Sequence, residues 1–355
     1  MLKNVLKRIL TCLVLTTFFT GVIFLGGCAK KEATKEEPAK KVTVDKITLR
    51  FAGTFPVNHY VTKADEMFKE LVEKRTNGKV TIEFYPAQQL YSDKDLVDVV
   101  PRGGVELAQV NFGMWTGLVP ELLLFDLYGF FENKEHYYHC EEDPQIRLAI
   151  EKALEEKANT KLVCTLAYSG GGPLLTKKVE KLEDLKGLKI RTQSEMSSYW
   201  VQTMGASPVV MSSGEVYQAL QRKTIDGVLS GPTSYYDRKL YEVGKYIIKN
   251  YFANSMVSIV ANSNTWNSLP KDVQDVMIQA GKEVNAWVRK ASADEDTEAW
   301  KKLEAMPDMK IYMISEEEAK RWREKGVSIQ KQKLVERVGK TGEQLFERAE
   351  SLRKK

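Results

Sequence analysis

The sequence predicts an α/β protein with two lobes, each built around its own β-sheet. The first observation is an alternation of short β-rich segments with amphipathic helical segments, which begins near residue 47 and resumes near residue 161. The second is an apolar helical repeat over about 270–305, with no glycine or proline between Gly281 and Pro307. Such a helix would be roughly 50 Å long, which exceeds what one small domain needs, so we expect it to bridge the lobes.

The first lobe is predicted from five segments in chain order. Residues 47–53, 80–85 and 107–112 are β-rich and read as strands. Between the first two, residues 63–75 carry apolar side chains at helical spacing. A capping box at 92–95 begins a second helix. Because short connections link these segments, we expect a mostly parallel sheet with helices on both faces.

The second lobe is predicted from a similar alternation of strand and helix segments. Residues 255–261 are predicted to form a strand that returns to the first lobe. We predict one discontinuous domain from 46–168 and 256–295, and a second from 169–255 and 296–355 that includes the charged C-terminal helices. The extended segments after residue 160 are 162–167, 173–177, 187–192, 207–211 and 225–229, and helices are expected near 196–205 and 214–223.

The N-terminal segment indicates export. A basic start precedes an apolar run over 9–25, which closes with Leu25-Gly26-Gly27-Cys28. This arrangement predicts a signal peptide over residues 1–27. The ending resembles a bacterial lipobox, which implies that Cys28 is lipidated and that the protein is anchored outside the cytoplasmic membrane in the cell envelope. The alternative, a plain transmembrane anchor, leaves the Gly-Gly-Cys ending unexplained.

Composition narrows the function further. Residues 28–45 are charged, poor in large apolar groups and contain Pro38, so we expect a disordered tether. The formal charge is only +5 over 355 residues and falls on cleavage of the basic start, which argues against nucleic-acid binding. Once residues 1–27 are removed and Cys28 is lipidated, Cys140 and Cys164 are left, and they either pair or remain separate buried thiols.

Motifs of catalysis and metal binding are weak. The chain lacks a G-x-S-x-G elbow, a P-loop and a G-x-G-x-x-G turn. His136, His139 and Cys140 lie close together, but their spacing does not match ordinary zinc sites, and we favour a packed aromatic loop. The glycines at 170–172 read as a flexible crossing between lobes rather than an anion cradle. We therefore expect no catalytic residue, no metal and no cofactor.

A binding site is predicted around Arg191, which ends the apolar strand at 187–192. Ligand pockets in α/β sheets lie outside the carboxyl ends of strands, and the planar arginine fork can hold a carboxylate by two hydrogen bonds. From spacing alone, a structural ion pair is an equal alternative for this arginine. Other candidate pocket residues near strand ends are Phe55, His59, Trp115, Tyr168, Tyr235 and Tyr236, with packing or, for His59, helix capping as the alternative.

Nine short motifs follow one another along the chain: FYPAQQL at 84–90, PE at 120–121, DL at 126–127, FF at 130–131, LKGLKIR at 185–191, GASPV at 205–209, EVYQALQ at 215–221, DG at 226–227 and WNSLP at 266–270. This ordered set resembles the DctP-type solute-binding proteins of tripartite ATP-independent periplasmic (TRAP) transporters, over nearly the whole length after the tether. The resemblance implies a fold like that of type II periplasmic binding proteins, with two α/β domains joined by crossing strands and a long inter-domain helix.

The resemblance also implies a function. Arg191 takes the role of the carboxylate clamp, lobe closure buries a small organic acid, and the small and large membrane subunits of a TRAP permease receive it. Two departures concern the ligand: Ser230 stands where many relatives have an amide, and the segment at 170–173 lacks the second cation of many dicarboxylate binders. These departures favour a monocarboxylate with an apolar or aromatic body.

Two other classes stay open from the residues alone. A secreted hydrolase or isomerase would use the same cleft, but it needs a nucleophile or an acid–base pair. A ligand sensor for a membrane kinase would need only the binding site.

Overall fold

The computed structural model describes residues 46–252 and 254–353. The predicted signal peptide, Cys28 and the predicted tether lie outside the described residues. The strands are β1 (Ile47–Ala52), β2 (Val80–Tyr85), β3 (Leu107–Asn111), β4 (Thr160–Ser169), β5 (Pro173–Leu175), β6 (Lys189–Thr192), β7 (Ser207–Val210), β8 (Gly227–Leu229), β9 (Tyr246–Ile248), β10 (Asn254–Asn262) and β11 (Lys310–Tyr312).

The α-helices are α1 (Tyr60–Arg75), α2 (Leu96–Val99), α3 (Lys134–Glu142), α4 (Pro144–Ala158), α5 (Glu195–Thr203), α6 (Val216–Gln221), α7 (Pro232–Asp237), α8 (Ser263–Ser268), α9 (Lys271–Glu304), α10 (Glu316–Val338) and α11 (Lys340–Ser351). Short 3-10 helices cover Phe112–Trp115, Pro120–Asp126, Leu182–Leu185, Ser213–Glu215 and Leu240–Glu242.

The fold is a two-lobed α/β architecture, as predicted. The first sheet has the strand order β2-β1-β3-β10-β4, and the second has the order β11-β9-β5-β8-β6-β7. The predicted return of the chain to the first lobe is confirmed, because β10 lies between β3 and β4.

The expectation of mostly parallel sheets is wrong in part, because both sheets are mixed. Strand β1 is parallel to β2 and β3, and β6 is parallel to β7 and β8. Antiparallel pairing occurs where the chain passes between sheets: β10 runs against β3 and β4, and β5 runs against β8 and β9. A strand that enters a sheet from the other lobe needs no crossover helix, so it is free to pair antiparallel.

The helix α9 spans 34 residues and bridges the lobes. It packs on α1 and β4 of the first lobe and on α7 of the second. Its buried face repeats at helical spacing through Val273, Met277, Val284 and Val288. The predicted bridging helix is therefore confirmed.

The C-terminal helices pack around the 3-10 helix at Pro120–Asp126, which sits in the largest apolar cluster. Helix α10 contacts both this segment and α5, and α11 contacts α10 and α4. Helices α10 and α11 therefore contact elements of both predicted domains, and the domain boundaries stay a prediction. Among the described residues, no helix is both long and apolar enough to cross a membrane.

The glycine run between β4 and β5 is packed tightly against neighbouring backbone. A methyl group at Gly172 would overlap the carbonyl oxygen of Ile248 and lie 2.9 Å from that of Asn250. At Gly171 it would lie 3.2 Å from the carbonyl oxygen of Ser230. Close backbone approach therefore explains these glycines.

We predict that Gly172→Ala lowers the free energy of unfolding by about 1–3 kcal/mol, because backbone atoms cannot rotate away from the added methyl group. Urea denaturation followed by circular dichroism measures the change.

The matched control is Gly117→Ala, because Gly117 is exposed and has no atom within 4 Å of the added methyl group. A Gly172→Ala variant as stable as the control would show that the crossing is loosely packed.

Candidate functional site

Arg191 is buried at the carboxyl end of β6, between β7 and β8. The residue is 2% exposed. Its Nε and Nη2 donate to the carbonyl oxygen of Met211 at 3.1 and 2.9 Å, so the guanidinium holds the turn after β7. Within the described residues it makes no other hydrogen bond and no ion pair with a carboxylate. The structural ion pair that was the alternative for this arginine is thus absent there.

The electrostatics of Arg191 favour an incoming anion. Burial lowers the pKa of Arg191, and the negative charge of Asp93 is the largest influence that raises it. Because a guanidinium stays protonated in proteins, the fold holds a desolvated positive charge. A buried charge without a direct partner costs several kcal/mol, and a carboxylate placed against the fork would offset that cost.

Phe55, His59 and Tyr168 form a cluster of rings beside this site. Ring centroids lie 4.5 Å apart for Phe55 and His59, 5.4 Å for Phe55 and Tyr168, and 6.1 Å for His59 and Tyr168. The structure therefore brings these three predicted site residues together. Burial lowers the pKa of Arg191, and Tyr168 is among the groups that act to raise it.

His59 is a neutral hydrogen-bond donor in this cluster. Its Nδ1 caps α1 by accepting the N–H of Val61 at 3.1 Å. Burial lowers the pKa of His59 well below its ordinary value, so the ring carries one proton, on Nε2. Nε2 is buried and has no hydrogen-bond partner within the described residues.

Ser230 follows β8 and joins the same cluster. The Tyr168 hydroxyl lies 3.1 Å from Ser230 Oγ and 3.0 Å from Ser234 Oγ. The Tyr235 hydroxyl is buried behind it, 2.6 Å from the carbonyl oxygen of Gly172, and accepts the Ser230 N–H at 2.9 Å. Tyr235 therefore positions the Ser230 turn against the crossing.

Two predicted pocket residues have no described contact with this cluster. Trp115 is fully buried in a 3-10 helix, where it packs edge-on against Phe112 at 6.2 Å. Tyr236 stacks on Tyr241 at 5.8 Å and lies under the ammonium group of Lys302. Neighbouring residues on a helix point in different directions, so Tyr235 and Tyr236 cannot both face the site.

The two lobes are joined next to Arg191 by Asp93, which precedes α2. The turn that accepts from Arg191 through Met211 continues into Ser212 and Ser213. Ser212 Oγ donates to Asp93 Oδ1 at 2.7 Å, and Ser213 Oγ and N–H donate to Oδ2 at 2.6 and 3.1 Å. Gln88 adds a hydrogen bond to Ser213 at 2.9 Å. One turn therefore links the cation of one lobe to a carboxylate of the other.

A second arginine near the site was missed from the sequence. Arg238 follows α7, and its guanidinium lies 5.7 Å from the ring centroid of Phe55. The positive charge of Arg238 also lowers the pKa of His59. Several cations populate residues 222–249 of the sequence, and nothing in the pattern distinguishes this one.

The histidines and cysteines take packing roles. Residues 134–142 form the helix α3, so the expected aromatic loop is wrong. His136 Nε2 lies 2.9 Å from the carbonyl oxygen of Ala349, and Cys140 Sγ lies 3.8 Å from the same atom. Cys140 and Cys164 are separate buried thiols. In the part of the chain that the structure describes, no three His, Cys, Asp or Glu side chains are grouped as metal ligands.

Comparison with known proteins yields a consistent set of relatives. Residues 51–336 match the family described as bacterial extracellular solute-binding protein, family 7. The C4-dicarboxylate-binding periplasmic protein DctP of Rhodobacter capsulatus is 27% identical over 297 residues, which cover 82% of this chain and 88% of that protein.

Solved structures show the same architecture. A TRAP periplasmic solute-binding protein from Desulfovibrio salexigens with bound orotic acid has a TM-score of 0.82 at 20% identity, and covers 87% of this chain and 99% of that one. One from Sulfurospirillum deleyianum with bound succinate has a TM-score of 0.80 at 25% identity, and covers 86% of this chain and 99% of that one.

Asp126 is a second buried acid near the site. Burial raises the pKa of its carboxyl to about 8, although Ser194 and the Met196 N–H approach closely enough to lower it in part. Neither carboxyl oxygen has a hydrogen bond of good geometry within the described residues. Burial raises the pKa of Tyr128, Asp126 raises it further, and Arg191 lowers it.

We predict that Asp126→Asn gains stability relative to the wild type as the pH rises from 5 to 8. The raised pKa means that the folded state binds a proton that the unfolded state has lost, so wild-type stability falls with pH over this window, by at most about 1.4 kcal/mol per unit from this group. Asparagine does not titrate and removes that slope. Chemical denaturation at several pH values measures it.

Asp308→Asn is the control, because Asp308 is exposed. Parallel pH profiles for wild type and Asp126→Asn would show that Asp126 is ionised in the folded protein.

Proposed function

The chain belongs to family 7 of the bacterial extracellular solute-binding proteins, the DctP type of TRAP transport, and on that premise we propose that it binds a small organic acid outside the cytoplasmic membrane. Arg191 clamps the carboxylate, closure of the two lobes buries the ligand, and a TRAP permease with small and large membrane subunits receives it. The observation that carries the proposal is the buried guanidinium of Arg191, which has no carboxylate partner among the described residues.

The ligands of similar proteins support an acid. The relative from Rhodobacter capsulatus is named for C4-dicarboxylates, and the two solved structures hold orotic acid and succinate. These molecules share a carboxylate, a group that an arginine fork can hold by two parallel hydrogen bonds. The sequence departures at Ser230 and 170–173 favour a monocarboxylate with an apolar or aromatic body, for which Phe55 and Tyr168 would supply the ring faces.

Lobe closure is supported by the Asp93 link. A ligand carboxylate bound to Arg191 would lie beside the turn at Met211 whose next two residues hydrogen-bond Asp93. Binding at the clamp and joining of the lobes would then stabilise each other, as in hinge closure around a ligand.

We propose that the bound acid is released unchanged. A hydrolase or isomerase needs a nucleophile with a base, or an acid–base pair. His59 is the one histidine in the described cluster, and its Nδ1 is occupied by the helix cap. Recovery of the intact acid after prolonged incubation supports binding without turnover.

We predict that Arg191→Ala weakens acid binding by two to four decades, because removal of one partner of a buried ion pair costs about 3–5 kcal/mol. Native mass spectrometry of the purified wild-type protein identifies the retained acid, and calorimetry with that acid measures the loss. Arg191→Lys keeps the charge but not the fork, so we expect an intermediate affinity.

Arg222→Ala, at an exposed arginine of the same lobe, serves as the control. Wild-type affinity in Arg191→Ala would disprove the clamp.

We also propose that the lipid on Cys28 anchors the protein on the extracytoplasmic side of the membrane. We predict that Cys28→Ser moves the protein from the membrane fraction to the soluble fraction of the envelope, because the thioether-linked lipid cannot form on serine. Fractionation and metabolic labelling with a radioactive fatty acid measure both changes. Unchanged membrane association without label would point to an uncleaved transmembrane anchor.

A further inference from the structure

Arg238 belongs to the second lobe by its chain position, but its side chain reaches the first lobe. It follows α7 of the second lobe, yet its Nη2 donates to the carbonyl oxygen of Thr54 in the first lobe at 3.3 Å. This long bond is the only hydrogen bond of the guanidinium within the described residues, and no carboxylate there forms an ion pair with it. Most N–H donors of the Arg238 guanidinium are thus available to a ligand.

The positive charge of Arg238 is only partly balanced by the negative charges around it. Burial lowers the pKa of Arg238, the charge of Arg191 lowers it further, and Asp93 is the main influence that raises it. Asp93 also acts on Arg191, and its oxygens already accept three hydrogen bonds from Ser212 and Ser213. One aspartate is therefore the main negative charge acting on two guanidinium groups, and among the described residues it forms no hydrogen bond or ion pair with either.

His59 supplies an independent observation. It is fully buried, its ring packs at a tilt against Phe55 with the centroids 4.5 Å apart, and its Nε2–H has no partner within the described residues. A buried donor left without an acceptor costs about 1–3 kcal/mol. The Phe55 ring contacts both His59 and Arg238. The unpaired His59 N–H and the Arg238 guanidinium therefore lie near each other, as neighbours of the same ring.

We propose that Arg238 and His59 form a second polar subsite that binds an oxygen acceptor on the body of the ligand. This deepens the proposed function and rests on it: the carboxylate occupies Arg191, and the second subsite selects acids that carry another oxygen group, either a carboxylate or a hydroxyl. A plain aliphatic or aromatic monocarboxylate would leave both donors unsatisfied, so the subsite revises the ligand that the glycine-rich crossing suggested.

Matched acids of two lengths test the subsite. Calorimetry compares butyrate, 4-hydroxybutyrate and succinate, and then hexanoate, 6-hydroxyhexanoate and adipate, on the full-length protein freed of retained ligand. We expect at least one two-group acid to bind more tightly than its monofunctional counterpart by about tenfold or more, the value of a hydrogen bond to a charged group. A preference for succinate or adipate identifies a second carboxylate, and a preference for the hydroxy acids identifies a neutral oxygen.

Variants assign the preference to residues. Arg238→Gln is expected to lower the affinity for the preferred acid by about tenfold or more and to leave the monofunctional acid within about twofold. Arg238→Lys keeps a positive charge and is expected to restore part of the preference. His59→Asn keeps a side chain that can cap α1 while it removes the ring donor, and we expect a smaller loss in the same direction. Arg222→Gln is the exposed control, and thermal melting of each unliganded variant confirms folding.

Three outcomes would overturn the inference. If the wild type binds monofunctional acids as tightly as their two-group counterparts, the second subsite does not exist. If Arg238→Gln weakens both classes equally, the residue acts on lobe closure through Thr54 and not on the ligand. If the wild type binds none of the six acids, the inference fails, whereas the proposed function is judged separately by the retained ligand and the Arg191 variants.

Discussion

The rest of the site depends on one constraint, the burial of the Arg191 guanidinium. Its fork is turned toward the carbonyl oxygen of Met211, so β6 and the turn after β7 are held in one arrangement. The next residues of that turn, Ser212 and Ser213, reach Asp93 on the other lobe. The cation that would meet the ligand and the contact that joins the lobes are therefore two ends of the same short segment.

The crossing between the lobes is built to match. Tyr235 holds the turn at Ser230 against the carbonyl oxygen of Gly172, and the glycine lets the crossing pack on the backbone of Ile248. Tyr168, at the end of the crossing strand β4, then reaches Ser230 and Ser234 with its hydroxyl. The glycine crossing and the buried Tyr235 thus hold the Ser230 turn to which the Tyr168 hydroxyl is hydrogen-bonded.

Much of the fold followed from local pattern. Strands such as β1 and β2 and the helix α9 have strong periodicity and clear boundaries, so their residues suffice to predict them. Arg191 could be selected as a candidate because a strand end is a position that the sequence reveals. Antiparallel pairing of β5 and β10 was not predictable in this way, since it depends on which lobe the chain returns to and not on the residues of the strand.

The side chains of the site were harder to predict for a related reason. Trp115 and Tyr236 lie near predicted strand ends in the sequence, as Phe55 and Tyr168 do. Nearness to a strand end does not determine the direction in which a short helix points its side chains. Arg238 was missed because its role depends on a contact with Thr54, 184 positions earlier in the chain. Long-range placement of this kind leaves no mark at the residue itself.

The arginines that hold this fold show why Arg191 and Arg238 differ from them. Arg50 binds Glu106 through Nε and Nη2 at 2.9 and 2.6 Å, and Arg348 binds Asp143 through the same two atoms at 3.0 and 2.6 Å. In both pairs the chain supplies a carboxylate to the full fork, and the pKa of each arginine is raised by that hydrogen bond. At the cleft the chain supplies carbonyl oxygens instead, and the pKa values of both arginines are lowered by burial. No carboxylate of the described residues forms an ion pair with either of these two arginines. This absence from the described contacts of both groups fits a fold in which the missing acceptor arrives with the ligand.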